Sequence, residues 1–192
     1  MSNLYVYLMR SRNKDNKSIP NFNERAETIL EYEENEDKII ETFKEFAAKG
    51  IPGESTRLYK SVNSRNEEKI REELIIRLLR DKPSMTKLNR TLASVAQQTH
   101  NRAESKWLFD FDMDDEKLVR DFRDDLYIYT DTDYPIEEIE LHKTPNGYGI
   151  VVPRGFDTRK LMEKWQDYDI TLKKDELLFL KMITTKDSGG GL

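Results

Sequence analysis

At 192 residues the chain is long enough for one substantial core, and it reads as a single domain over residues 1–186 with a flexible tail at 187–192. Its 37 acidic and 32 basic residues leave a net charge of −5, which excludes clamping of duplex DNA by overall charge but not a local basic groove. Cysteine is absent, so disulfides and thiolate metal sites are excluded and a reducing cytoplasm is the expected location.

No run of about 18 apolar residues predicts a membrane span, and the first residues lack the charged-then-apolar pattern of a signal peptide. Residues 4–9 predict a strand with Leu4, Val6 and Leu8 on one face. Residues 11–23 are polar, hold Pro20 and read as a loop. Asn35 is placed to cap a helix reaching about Lys49, with Ile39, Ile40, Phe43, Phe46 and Ala47 as its apolar stripe. Gly50 and Pro52 stop it. Residues 57–63 predict a strand. Residues 66–80 predict a helix with Ile70, Leu74, Ile75, Leu78 and Leu79 inward, and a second helix at 86–98 follows Pro83.

Beyond the acidic segment discussed next, residues 115–126 predict a short helix whose acidic start suits the helix dipole. Residues 136–143 and 148–152 predict a hairpin around Pro145-Asn146-Gly147. Asp157 is placed to cap a helix to about Trp165, and residues 168–173 and 177–183 predict a final strand pair. The order of elements points to an α+β fold, a mostly antiparallel sheet with helices packed on it.

The most informative segment is Trp107-Leu108-Phe109-Asp110-Phe111-Asp112-Met113-Asp114-Asp115. Side chains alternate along a strand, so Trp107, Phe109, Phe111 and Met113 share one face and Leu108, Asp110, Asp112 and Asp114 the other. Carboxylates interleaved with a core-forming face need a partner to offset desolvation. Two residues apart on a strand is about 6.6 Å, a spacing at which two carboxylates can converge on one divalent cation. The alternative is a solvated edge strand. Uniform aspartate favours the metal, because polar outer faces usually mix Lys, Thr and Glu.

Three segments in this order resemble the archaeo-eukaryotic primase, or primase–polymerase, superfamily in a small phage-type form. Residues 107–112 match its Asp-x-Asp strand. Lys143-Thr144-Pro145-Asn146-Gly147-Tyr148-Gly149-Ile150-Val151 resembles its Gly-containing turn and strand. The late strands at 170–179 resemble the source of its third acid, Asp169 or Asp175. Upstream, residues 57–65 look like the Arg- and Asn-containing strand that precedes this core. The resemblance spans residues 55–185 and implies an RRM-like catalytic core.

It also implies a nucleotidyl-transfer site, with Asp110 and Asp112 holding Mg²⁺ or Mn²⁺ and Asp175 as the further catalytic acid. The nucleotide contacts would be Arg57, Asn63, Arg65, Lys143, Asn146, Gly147 and Gly149. A nucleoside triphosphate is the implied ligand, and single-stranded nucleic acid or a primer end the implied substrate. A protein partner is compatible with this, and a membrane is not expected. The family places a phosphate-contacting His where this chain has Gly149. If Asn146 and Gly147 are the two turn residues, Thr144 lies opposite Gly149 and His142 opposite Val151. His142 then shares a face with Gly149, diagonally placed to fill the empty position. A one-residue slip would turn it to the other face.

Three functions remain in view. The first is a metal-dependent nucleotidyltransferase. The second is a degenerate relative that binds a nucleotide or nucleic-acid end as a regulator or anti-defence factor. The third is an acidic DNA mimic, built on the aspartates at 110, 112, 114, 115, 121, 124, 125, 131 and 133. Tyr127, Tyr129, Tyr134 and Tyr148 are stacking candidates whose ordinary role is strand packing.

Overall fold

The computed structural model describes residues 3–81, 85–130 and 135–185. The expected tail at 187–192, and Asp131, Asp133 and Tyr134, lie outside the described residues. The architecture is α+β, but it is built on two four-stranded sheets rather than one. They belong to two compact units, residues 1–103 with 179–192, and residues 104–178.

The first unit holds β1 (Leu4–Ser11), β2 (Arg25–Tyr32), α1 (Glu36–Ala48), β3 (Ser55–Ser61), α2 (Glu67–Asp81), α3 (Leu88–Ala96) and most of β8 (Leu177–Thr184). Its strand order is β2-β1-β3-β8. β1 is central and antiparallel to both β2 and β3. Its near-continuous hydrophobic run follows from burial on both faces. Tyr5, Tyr7 and Met9 pack with Leu58 against Ile39, Phe43 and Phe46 of α1. Leu4 and Val6 pack against Ile70 of α2 and Val95 and Ala96 of α3.

Two sequence expectations change here. Asn35 precedes α1 but its side chain makes no cap; its amide donates to Glu31 Oε1 at 2.9 Å. α2 buries Ile70 but leaves Ile75 52% and Leu79 74% exposed. The helix faces the sheet with a narrower stripe than its leucines and isoleucines suggest, because Leu74, Arg77 and Leu78 share the half-buried side.

The second unit holds β4 (Trp107–Phe111), α4 (Glu116–Tyr129), β5 (Glu140–Thr144), β6 (Gly147–Val152), α5 (Arg159–Lys164) and β7 (Ile170–Lys173). The order β5-β6-β4-β7 is antiparallel throughout. Phe109, Phe111, Tyr148, Ile150, Val152 and Ile170 share the core with Val119, Phe122 and Leu126 of α4 and Leu161 and Trp165 after it. Phe122 is the hub, its ring 5.2 Å from Phe109, 5.0 Å from Phe111 and 5.3 Å from Trp165. Asp115 caps α4 by accepting from the Leu118 N–H at 3.0 Å.

The expected final strand pair does not form. β7 pairs with β4, whereas β8 joins the first sheet beside β3, so the residues between them carry the chain from one sheet to the other. The hairpin turn is Pro145–Asn146, not Asn146–Gly147, and Thr144 pairs with Gly147. Gly147 begins the return strand, and the position requires glycine, because a Cβ there would meet Phe111 O at 2.0 Å. Among the described residues, no helix is long and apolar enough to cross a membrane.

Candidate nucleotide site

The corrected register moves His142 opposite Gly149, and Gly149 is itself opposite Asp110. Thr171 completes the row on β7. Directly paired residues share a face, so His142, Gly149, Asp110 and Thr171 cross the sheet in one line. That face lies opposite Phe109, Phe111 and Ile150, which fill the core. Strands two apart put His142 and Asp110 roughly 10 Å from one another at the backbone.

Asp110 is not waiting alone. The Lys173 ammonium donates to its Oδ2 at 2.6 Å, with both side chains about one-third exposed at 32% and 28%. Burial alone would lower the Lys173 pKa. The bond to Asp110, with the charges of Asp110, Glu176 and Asp112 nearby, raises it above the usual lysine value instead. Sequence reading missed Lys173. Its signal was the alternation in Ile170-Thr171-Leu172-Lys173, which puts Thr171 and Lys173 on the Asp110 face.

The strand stops at Phe111, so the alternation expected through Asp114 stops with it. Asp112 is exposed and follows directly. Asp169 leaves the ladder at the same end, just before the Phe111–Ile170 pair, whereas Asp175 lies beyond Lys173 at the other end. Asp114 has turned toward Lys143, to which it is bonded. Among the described residues no three His, Asp or Glu side chains converge as a metal site.

The other expected contacts divide. Lys143 pairs with Tyr148, lies over its ring at 4.0 Å and therefore belongs to the opposite face from Asp110. The bond to Asp114 raises the Lys143 pKa. Asn146 is in the turn. His142 bonds through Nε2 to Glu140 Oε2 at 2.9 Å rather than reaching over Gly149. The space above Gly149 is taken by leucines: a Cβ there would lie 3.1 Å from Leu108 Cδ1 and 3.4 Å from Leu178 Cδ1.

No family model, curated protein or solved structure matches this chain. Arg57, Asn63 and Arg65 belong to the first unit. Arg57 bonds Asp15 Oδ1 at 2.5 Å, Arg65 donates its backbone N–H to Leu4 O at 2.7 Å, and Asn63 is fully buried.

Mg²⁺ commonly binds through one or two protein carboxylates together with substrate phosphates and water. Asp110 and Asp112 are the residues that would hold such a cation, and Lys173 would first have to release Asp110.

Proposed function

We propose that this chain is a nucleotide-binding protein of the primase–polymerase type, which takes a nucleoside triphosphate with Mg²⁺ or Mn²⁺ at Asp110, on the face of the second sheet opposite its aromatic core. The observation that carries this reading is the row His142–Gly149–Asp110–Thr171 with Lys173 bonded to Asp110. Asp110 and Asp112 would hold the cation that arrives with the triphosphate. The cation would supply charge neutralisation at the phosphates and lower the pKa of an attacking hydroxyl. Lys173, freed from Asp110, is a compact point charge placed to meet a phosphate oxygen. His142 offers a second polar group at the far end of the row.

Two observations favour binding over rapid nucleotidyl transfer. Lys173 already neutralises Asp110, and Leu108 and Leu178 cover Gly149, where the resembled family carries its histidine. A binder that regulates through a nucleotide or nucleic-acid end follows from them. The DNA-mimic reading has less support, since Asp114, Asp115 and Asp125 are engaged by Lys143, the α4 N-terminus, and Lys164 with Trp165.

Calorimetric titration with Mn²⁺ and a non-hydrolysable nucleoside triphosphate tests the reading. The wild type should bind the pair, and Asp110→Asn with Asp112→Asn should abolish the metal-dependent part. Unchanged binding in the double variant sinks the proposal. Primer extension on the same samples separates the binder from the enzyme.

A further inference from the structure

β2 ends the sheet of the first unit, and among the described residues its outer edge has no strand partner. Edge strands are usually blunted by short length, lysine, proline or a bulge. β2 has none of these. It runs eight residues, Arg25-Ala26-Glu27-Thr28-Ile29-Leu30-Glu31-Tyr32, and pairs with β1 in unbroken register. An edge this long and regular is a template for another strand.

The hydrogen bonds of β1 show which groups of β2 face outward. Leu4 O accepts from the Arg65 N–H, and the Val6 N–H donates to Ser61 Oγ, both on the β3 side of the strand. In an antiparallel ladder the N–H and C=O of one residue point the same way, and successive residues alternate. Tyr5, Tyr7 and Met9 therefore bond Glu31, Ile29 and Glu27 of β2. The backbone groups of Ala26, Thr28 and Leu30 then turn away from the sheet. Beside them a groove opens between β2 and α3, where Ala26, Thr28 and Leu30 face Leu92, Ala93 and Gln97.

The sequence of β2 complements itself. Set antiparallel to a second copy about Thr28, Arg25 meets Glu31, Ala26 meets Leu30, Glu27 meets Ile29 and Thr28 meets Thr28. Opposite charges and threonine pairs are favourable across a ladder, and like charges directly opposite are destabilising. The nearest registers that keep the outward backbone groups matched lie two residues to either side. One opposes Glu27 to Glu27, and the other opposes Glu27 to Glu31. Charge therefore selects the register centred on Thr28. In it Ala26, Thr28 and Leu30 exchange about six backbone hydrogen bonds with the second copy.

We propose that the outer edge of β2 is a self-association surface, where two copies of this chain join antiparallel about Thr28 and merge their four-stranded sheets into one. The occupant is a second copy because one strand supplies both members of every pair. The proposal is independent of the nucleotide reading, which concerns the second unit.

The experiment joins light scattering to cross-linking. The mass of the wild-type protein should rise toward that of a dimer as concentration increases. Thr28→Pro removes one outward N–H and no bond to β1, as proline on an edge strand can. Thr28→Lys sets two ammonium groups face to face. Both variants should stay monomeric, and a melting curve on each shows that the fold is kept; if the proline variant unfolds, the lysine variant carries the test. The chain has no cysteine, so an introduced one reports only on its own copy across the contact. Hydrogen-bonded antiparallel pairs hold Cα atoms about 5.5 Å apart, inside the disulfide range of about 4.4–6.8 Å. Thr28→Cys should give a disulfide-linked dimer under mild oxidation, and Glu27→Cys, opposite Ile29, several-fold less. A monomeric wild type at every concentration overturns the proposal, as does equal cross-linking at residues 27 and 28. A dimer that survives Thr28→Lys but is lost on Leu79→Glu also overturns it, since the contact would then lie on the exposed side of α2.

Discussion

Asp110 and His142 stand on the same face of one sheet, two strands apart, with Gly149 directly between them. Neither bonds the other: Asp110 holds Lys173, and His142 holds Glu140. A ligand on this face must therefore compete with the Lys173–Asp110 ion pair and the His142–Glu140 hydrogen bond.

The Lys173–Asp110 pair gives the first expected outcome. Lys173→Met keeps the stem and removes the charge, so a cation no longer has to displace the ammonium from Asp110. Mn²⁺ affinity should rise by roughly tenfold, the scale of one charge-assisted hydrogen bond. If Lys173 also meets a phosphate, nucleotide affinity should fall in the same variant. Titrating the two ligands separately checks both signs, and an unchanged Mn²⁺ affinity removes Lys173 from the site.

The two glycines of β6 should behave differently. Alanine at Gly147 would bring Cβ to 2.0 Å from Phe111 O and 2.9 Å from Met113 N, both backbone atoms that cannot step aside. Gly147→Ala should cost more than about 3 kcal/mol, at or beyond the upper end of overpacking effects. At Gly149 the nearest atoms are the ends of Leu108 and Leu178. Those side chains can move, so Gly149→Ala should cost about 1 kcal/mol or less. Urea denaturation of both variants decides between a uniformly tight strand and this asymmetry.

Phe109 and Trp107 test the core in the same way. Phe109 is fully buried against Phe122, and Phe109→Ala should cost about 3–5 kcal/mol. Trp107 is half-buried, stacked on Phe156 at 6.4 Å and under Lys174 at 4.6 Å. Trp107→Ala should cost less than Phe109→Ala despite removing more atoms. The reverse order in a denaturation series would place Trp107, not Phe109, at the centre of this core.

These particulars show what was legible in the sequence. The alternation of Trp107 to Phe111 was, because one sheet face is buried and the period of two cannot be mistaken there. The helices at Phe43 and Phe122 were too, since these residues sit on clear stripes, whereas the stripe expected around Ile70 leaves Ile75 and Leu79 exposed. β2 was not: Arg25-Ala26-Glu27-Thr28 looks solvated, and it forms a strand because the central β1 has an open side to be paired. The destination of β8 was equally hidden. Its hydrophobic run fits either sheet, and the choice depends on β3 having a free edge. Within the site, Asp110 was legible from composition, whereas Lys173 required knowing which strand lies beside β4. The Pro145–Asn146 turn was misplaced because Asn-Gly is a strong local signal, here overridden by the close approach of Gly147 to Phe111.

Glu54 provides a pH-dependent test of the first unit. Its side chain is 3% exposed and accepts from Arg25 Nε at 2.9 Å, Arg25 Nη2 at 2.5 Å and the Ile51 N–H at 2.9 Å. Burial would raise the pKa of this carboxyl, but the Arg25 fork and the backbone N–H hold it below the usual glutamate value. A depressed folded pKa means the unfolded chain binds the proton first as pH falls. The contribution of Glu54 is therefore complete above its unfolded pKa of about 4.3 and is lost as pH falls through the folded value. Glu54→Gln keeps the shape and removes the charge, leaving Arg25 partly buried without its partner. It should cost about 2–4 kcal/mol at neutral pH, toward the lower part of the range for breaking a buried pair because Arg25 is 27% exposed. Denaturant midpoints for wild type and Glu54→Gln, followed from neutral pH to pH about 3, check the sign. The other carboxylates titrate in both proteins and cancel in the difference. The gap should narrow as pH falls, and a gap that stays constant would show that Glu54 acts by packing rather than by charge.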